Sequence, residues 1–234
     1  MLPNLNRAAN PIIKFTPIVT TRKINADSMS GSRFVGILRN RSAGRSNGFL
    51  DMWNRFDWEK VVSIPSKHNI VLSVVVDSEY LYAGGIDDFV SVFKLSDFSH
   101  VINLEGHNAD VFSFAIDDDY VYSGSGEVWW GGPGSPRPPS FESSVRVWKK
   151  KTWESVKTLD GHTDNVNAIA VDETRVYSSS DDGTVRVYDK TDWTQWVLDL
   201  QSGPLKTLVI DDEHIYVAGN DCLIRKVPKS LFQT

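Results

Sequence analysis

The chain has very little cysteine: one residue, Cys222, in 234. A single thiol excludes a disulfide framework and a cysteine-rich zinc site. It fits a reducing, cytoplasmic compartment, with Cys222 as a small buried apolar side chain. Long apolar runs are missing too. Nothing approaches the ~18–20 residues of a membrane span, so no membrane is expected among the partners. Acids are almost absent from residues 1–48, where Asp27 alone faces Arg7, Lys14, Arg22, Lys23, Arg33, Arg39, Arg41 and Arg45. This head carries +7 within a chain of net charge −5, which leaves −12 on the rest. Such an acidic body lacks the basic footprint of a nucleic-acid binder, so no nucleic acid is expected as a partner. The head is rich in Arg and Ser, as organelle transit peptides are. Pro3, Pro11 and Pro17 nevertheless break any amphipathic helix there.

No segment carries a helical apolar stripe. What is present instead is a repeat. Five alternating runs share one register: Phe49–Trp53, Phe89–Phe93, Ser144–Trp148, Thr184–Tyr188 and Leu223–Val227, with last residues spaced 40, 55, 40 and 39 apart. Five residues beyond each run stands a second bulky residue, Trp58, Phe98, Trp153, Trp193 or Phe232. Six residues before each run's end stands a polar one, Asn47, Asp87, Glu142, Asp182 or Asp221. Within a unit the period is that of strands. Asn165–Val171, Arg175–Ser180, Thr184–Tyr188 and Thr194–Leu200 alternate β-branched or aromatic residues with polar ones, and turn-formers such as Asp181-Asp182-Gly183 separate them. Each unit of about 40 residues is therefore expected to be four short antiparallel strands.

A repeat of that length, with Gly161-His162 near its start and Tyr188-Asp189 near its end, resembles the WD-repeat β-propeller family. Gly106-His107 and Trp148-Lys149 carry the same marks. The resemblance covers residues 49–232 and implies an all-β propeller, incomplete or small, of four to five blades. Residues 49–234 are expected to form the propeller domain, and residues 1–48 a basic extension that is partly disordered or supplies a closing strand. Complete blades are read at 70–104, 110–159 and 165–200, with two strands of another blade ahead of them and three of a last one behind. Of the head's two strand-like runs, Pro11–Phe15 and Arg33–Leu38, one could supply the last blade's missing outer strand. The alternative is an open arc, whose unpaired end blades invite self-association. Setting aside the head and a 15-residue insertion leaves a little over four blades. The seven-bladed ring usual for the family needs about 280 residues.

His162, Ser178 (or Ser180) and Asp182 have the composition of a hydrolase triad. The resemblance implies a structural tetrad instead: His162, Ser178, Asp182 and Tyr188 in one blade, and His107, Ser123, Glu142 and Trp148 in the one before. Tyr188 replaces Trp and Glu142 replaces Asp, so the corresponding bonds are expected to differ. The blade at 70–104 is expected to lack the set, with Ala83 at the Ser position and His68 one residue out of register. The last blade has Val217 there. His100 and His214 are isolated, and no spacing resembles a zinc site. No catalytic residue, metal or cofactor is assigned.

Acidic turns recur at Asp77–Glu79, Asp117–Asp119, Asp172-Glu173 and Asp211–Glu213. They are expected on one face of the propeller, where they either dock a basic partner or the basic head, or merely suit tight turns. The insertion, residues 126–141, contains Trp129, Trp130, Arg137 and Pro138. Trp and Arg dominate interface hot spots, and proline lowers the ordering cost of a loop. The competing reading is a loop that caps its own blade with one Trp. The sequence thus points to a non-catalytic scaffold binding proteins or peptides, with Trp129, Trp130, Arg137 and Pro138 as contacts. The alternative is a propeller enzyme or ligand sensor with its site at the central channel.

Overall fold

The computed structural model describes residues 33–38, 48–54, 59–127 and 142–232. They form eighteen strands in five antiparallel sheets. The first sheet contains β1 (Arg33–Leu38), β2 (Phe49–Asn54) and β3 (Lys60–Pro65). The second holds β4 (Val71–Val76), β5 (Tyr80–Gly85), β6 (Asp87–Lys94) and β7 (His100–Glu105). The third holds β8 (Asp110–Ile116), β9 (Tyr120–Gly126), β10 (Val145–Lys149) and β11 (Ser155–Leu159). The fourth holds β12 (Val166–Val171), β13 (Arg175–Ser180), β14 (Thr184–Asp189) and β15 (Gln195–Asp199). The fifth holds β16 (Leu205–Ile210), β17 (His214–Gly219) and β18 (Ile224–Pro228), followed by a 3-10 turn at Lys229–Phe232. Each is a meander of neighbours in sequence order, and the inner strands β4, β8, β12 and β16 pack side by side.

Two expectations about the chain change. Arg33–Leu38 pairs with β2, from Arg33 opposite Asn54 to Leu38 opposite Phe49. It therefore leads the first sheet, ahead of Phe49, and does not edge the last one. Pro11–Phe15 lies outside the described residues, as does most of the basic head. Cys222 is exposed rather than buried. It sits in the turn before β18 with φ +62°, where no apolar neighbour covers it.

The cores lie between sheets. Strand alternation sends one set of side chains forward and the other back. Between the second and third sheets, Tyr82, Val90, Val92 and Leu104 meet Val111, Phe114, Val121 and Trp148. The same arrangement recurs between the other consecutive sheets. Burying a side chain of this kind is worth about 1.5–3 kcal/mol. Close approach needs glycine at Gly84 and Gly124: a Cβ there would stand 2.5 Å from Val111 and 2.4 Å from the Ser113 hydroxyl. The bulky residue of the third turn has a cost. Phe98, Trp153 and Trp193 all adopt left-handed φ, between 60° and 64°, a conformation worth roughly 1–2 kcal/mol of strain. Packing offsets it, since Trp153 stands edge-on to Tyr80 of the preceding sheet at 5.0 Å.

A polar clamp accompanies each apolar interface. Asp117 accepts from its own turn's amides, Asp119 N and Tyr120 N, and from the Tyr122 hydroxyl at 2.8 Å. Lys190 of the next sheet closes on the same carboxylate at 2.7 Å. Asp77, Tyr82 and Lys150 repeat the arrangement one interface earlier, and Asp172, Tyr177 and Lys229 one interface later. Burial favours the neutral acid, but the lysine and the donated hydrogen bonds outweigh it and hold all three carboxyls below their ordinary value.

Candidate functional site

The turn residues of two loops are fixed by buried relays. Trp148 Nε1–H donates to Ser123 Oγ at 2.8 Å, and Ser123 Oγ lies 2.7 Å from His107 Nε2. An ionised Glu142 can only accept, so neutral His107 carries its proton on Nδ1, 3.1 Å from Glu142 Oε1. Its Nε2 is then the acceptor for the Ser123 hydroxyl. Glu142 Oε2 accepts the amide of Asn108 at 2.8 Å, which ties the loop to the sheet. In the fourth sheet, His162 spans Ser178 Oγ and Asp182 Oδ2, both at 2.8 Å, and Asp182 takes the amide of Thr163. Burial lowers the pKa of both imidazoles. Burial opposes ionisation at Glu142 and Asp182, but the imidazole bonds together with those from Ser144 and Arg146, and from Thr184, outweigh it and hold both carboxyls well below the usual range. Tyr188 departs as its residue type suggests: its hydroxyl donates to Asp160 O at 3.4 Å. Burial raises that phenol to about 12. Ser178, Ser180 and the His162 side chain are sealed from solvent, so the triad-like set has no access for a substrate.

The second sheet corrects the sequence reading. His68 is buried and takes the histidine's place despite its one-residue offset. Its Nδ1 faces Asp87 at 3.2 Å, and its Nε2 faces the Ala83 carbonyl at 3.0 Å, where the serine would be. It also stacks on Phe89 with centroids 4.6 Å apart. Burial lowers its pKa against the pull of Asp87 and the Ala83 carbonyl. His68→Ala is expected to cost about 2–3 kcal/mol in urea unfolding, whereas Lys67→Ala, at an exposed site, should leave the midpoint unmoved. Equal effects would show that the register position, not the ring, matters.

The insertion rises from this face on two fixed stems. Glu127 N donates to Asn165 Oδ1 at 2.7 Å, and Asn165 Nδ2 returns a bond to Glu127 O. Gly126 lies so close that a Cβ would stand 2.4 Å from Asn165 Oδ1. The other stem, Glu142, is held by His107, Ser144 and Arg146. Trp129, Trp130, Arg137 and Pro138 lie outside the described residues.

Sequence reasoning missed a set of displaced residues on the inner strands. Every inner strand of the second to fifth sheets is bulged near its start, after its first pair in β4, β12 and β16 and after its second in β8. The displaced residues are Leu72, Phe112, Asn167 and Lys206, half-buried except for exposed Lys206. A bulge re-aims a side chain out of the ladder. Asn167 Nδ2 donates to Asp181 Oδ1 and to Leu205 O, each at 2.7 Å, and Lys206 pairs with the same Asp181 oxygen. The displaced residues are thus apolar in the second and third sheets and polar in the fourth and fifth. The available signal was offset: Phe112 and Asn167 each follow their loop histidine by five residues, Leu72 by four. Among the described residues, no three His, Cys, Asp or Glu side chains are grouped to hold a metal.

On the opposite face, the acidic turns are only partly available. Their leading carboxylates Asp77, Asp117 and Asp172 are committed to the clamps. Glu79, Asp118, Asp119, Glu173, Asp212 and Glu213 remain exposed.

Comparison with known proteins agrees with this architecture. Residues 153–189 match the family described as WD domain, G-beta repeat. The chain is similar in structure to the computationally designed Ika8 protein, with 17% identity and a TM-score of 0.70 over 86% of this chain and 56% of that one. It is similar to U3-55K, with 22% identity and a TM-score of 0.67 over 84% of this chain and 64% of that one. The WD40 repeats of RRP9 give 22% identity and 0.67 over 84% and 63%. The chain therefore spans about three-fifths of each of these structures.

Proposed function

We propose that this chain, in which residues 153–189 match the WD domain, G-beta repeat family, is a non-catalytic scaffold that docks a protein or peptide on its Gly-His face. The observation that carries this reading is the insertion's anchorage. Both stems are locked to Gly-His loops, Glu142 through His107 and Asn108 and Glu127 through Asn165. A segment rich in Trp, Pro and Arg thus departs from and returns to the sheet that carries Phe112. Trp129, Trp130, Arg137 and Pro138 supply the contacts, in keeping with the residue types that dominate hot spots. Leu72 and Phe112 supply an apolar floor, and Asn167, Asp181 and Lys206 a polar edge that orients the ligand.

The test is selection of displayed peptides on the full chain, followed by affinity measurement for the best of them. Trp129→Ala with Trp130→Ala should weaken binding more than tenfold and leave the melting temperature unchanged. Phe112→Ser should weaken it as well, while Asp118→Lys on the opposite face should not. Peptides that bind the face variants as tightly as the parent chain would defeat the proposal. So would a fall in melting temperature with binding intact, which marks the Trp pair as structural.

A further inference from the structure

The third strand of the third, fourth and fifth sheets carries an arginine four residues after a turn carboxylate: Arg146 after Glu142, Arg186 after Asp182 and Arg225 after Asp221. Two of the three are paired. Arg146 Nε donates to Glu142 Oε1 at 2.9 Å, and Arg225 Nη2 pairs with Asp221 Oδ2. Arg186 differs from both. Its Nε is sealed from solvent without an acceptor, and among the described residues no hydrogen bond or ion pair reaches its guanidinium.

The cause lies in the relay of the same sheet. Asp182 Oδ2 is taken by His162 and the Thr163 amide, and its Oδ1 by the amide and hydroxyl of Thr184. Glu142 is one methylene longer and reaches its arginine while keeping its histidine. Asp221 accepts from Leu223 N and Arg225. It serves no serine relay, since Val217 stands opposite Arg225 where Ser178 stands opposite Arg186.

The surroundings of Arg186 add further donors and an apolar wall. Gly161, at φ +126°, lies over the guanidinium: a Cβ there would stand 2.3 Å from Arg186 Nη1 and 3.1 Å from Gln195 Nε2. The guanidinium and the Gln195 amide thus lie side by side under one loop. Gln195 Nε2 makes only a long contact, 3.5 Å from the Tyr188 hydroxyl. Val197 pairs directly with Arg186, so the two side chains share a face of the sheet, and Val197 is 52% exposed. Arg186 as a whole is half-buried. With Nε sealed, its terminal nitrogens are the part that meets solvent. A desolvated guanidinium without an acceptor carries a cost that an incoming anion relieves. A planar carboxylate takes two parallel N–H bonds from one guanidinium. The covering loop also carries Asn165, which anchors the Glu127 stem of the insertion.

We propose that Arg186, with Gln195 and Val197 beside it, binds the carboxylate of a glutamate side chain in the docked peptide. The carboxylate meets the two donors, and the methylene stem packs on Val197. This site rests on the docking of a peptide to the Gly-His face proposed above, and it gives that face a preference for an acidic residue.

The test is an NMR titration of the full chain with N-acetylglutamate N′-methylamide, and with the capped glutamine as control. The Arg186 Nε–H resonance, assigned by its loss in Arg186→Gln, should shift saturably with the glutamate probe and stay still with the glutamine one. Asp182→Glu gives Arg186 the partner that Glu142 gives Arg146, so the shift should vanish in that variant while the melting temperature holds. Glutamate-containing peptides selected on the chain should lose about tenfold or more in affinity with Arg186→Gln. They should lose none with Lys157→Gln, which removes an exposed cation from the neighbouring outer strand. A resonance that ignores the glutamate probe, or moves equally with both probes, overturns the site. So does a shift that survives in Asp182→Glu, or a signal moved by inorganic phosphate and not by glutamate. Peptide binding that needs Trp129 and Trp130 but not Arg186 removes the site and leaves the docking face standing.

Discussion

Trp148→Ala is expected to lower unfolding free energy by about 3–5 kcal/mol, the range for removing a large buried aromatic side chain. The ring is 2% exposed and fills the interface between the second and third sheets. Its N–H also starts the relay through Ser123 to His107 and Glu142. The truncation leaves a cavity and removes the donor to Ser123 Oγ. Trp148→Tyr should cost only about 1–2 kcal/mol, since the fourth sheet already accommodates a tyrosine at the equivalent place, Tyr188. Urea unfolding measures both, with an unchanged slope. An alanine variant within about 1 kcal/mol of the parent would mean that the interface relaxes around the loss.

Asp117→Ala is expected to be nearly as damaging, about 3 kcal/mol. It strands two partners at once: the buried Tyr122 hydroxyl loses its acceptor and the half-buried Lys190 its counter-ion. Removing one member of such a pair costs more than the pair itself contributes. Asp211→Ala, where no lysine of a following sheet is lost, should cost far less. The pH dependence has a definite sign. Asp117 titrates lower folded than unfolded, so its contribution is fully present above the ordinary carboxylate value near 4 and is lost as pH falls through the lower folded value. The buried His68, His107 and His162 titrate lower as well. Their share is present above about 6.5 and fades below it. The parent chain should therefore lose stability in two stages on acidification, and Asp117→Ala should flatten only the lower one. An acid limb identical in parent and variant would show that the carboxylate does not couple to folding.

The repeat was legible because its markers are local: run, turn and bulky residue recur at fixed offsets, and strand alternation follows from them. Blade boundaries at 70–104, 110–159 and 165–200 match the second, third and fourth sheets closely for that reason. Arg33–Leu38 stayed one of two candidates for the last blade's outer strand because residues 39–48 carry no repeat marker, so nothing linked it to β2 in advance. His68 was passed over because a strict register allows no one-residue slip, whereas the backbone absorbs one by offering the Ala83 carbonyl in place of a serine hydroxyl. The Asp–Tyr half of each clamp is visible as a five-residue spacing, but Lys190 lies 73 residues from Asp117. Only the stacking of successive sheets brings them together. Cys222 was misjudged from residue type, since a thiol in a turn on an end sheet has no core to enter.

The series of identical clamps also determines how the molecule comes apart. Each sheet is held by its two neighbours and by little else, so stability accumulates along the chain as a sum of sheet and interface contributions. An interior sheet must break two interfaces to open. The second, third and fourth sheets each have four strands and are packed on both sides. Among the described sheets they therefore form the cooperative unit that opens last. Both stems of the insertion stand on that unit. The segment proposed to bind partners is thereby mounted on the part of the protein that opens least.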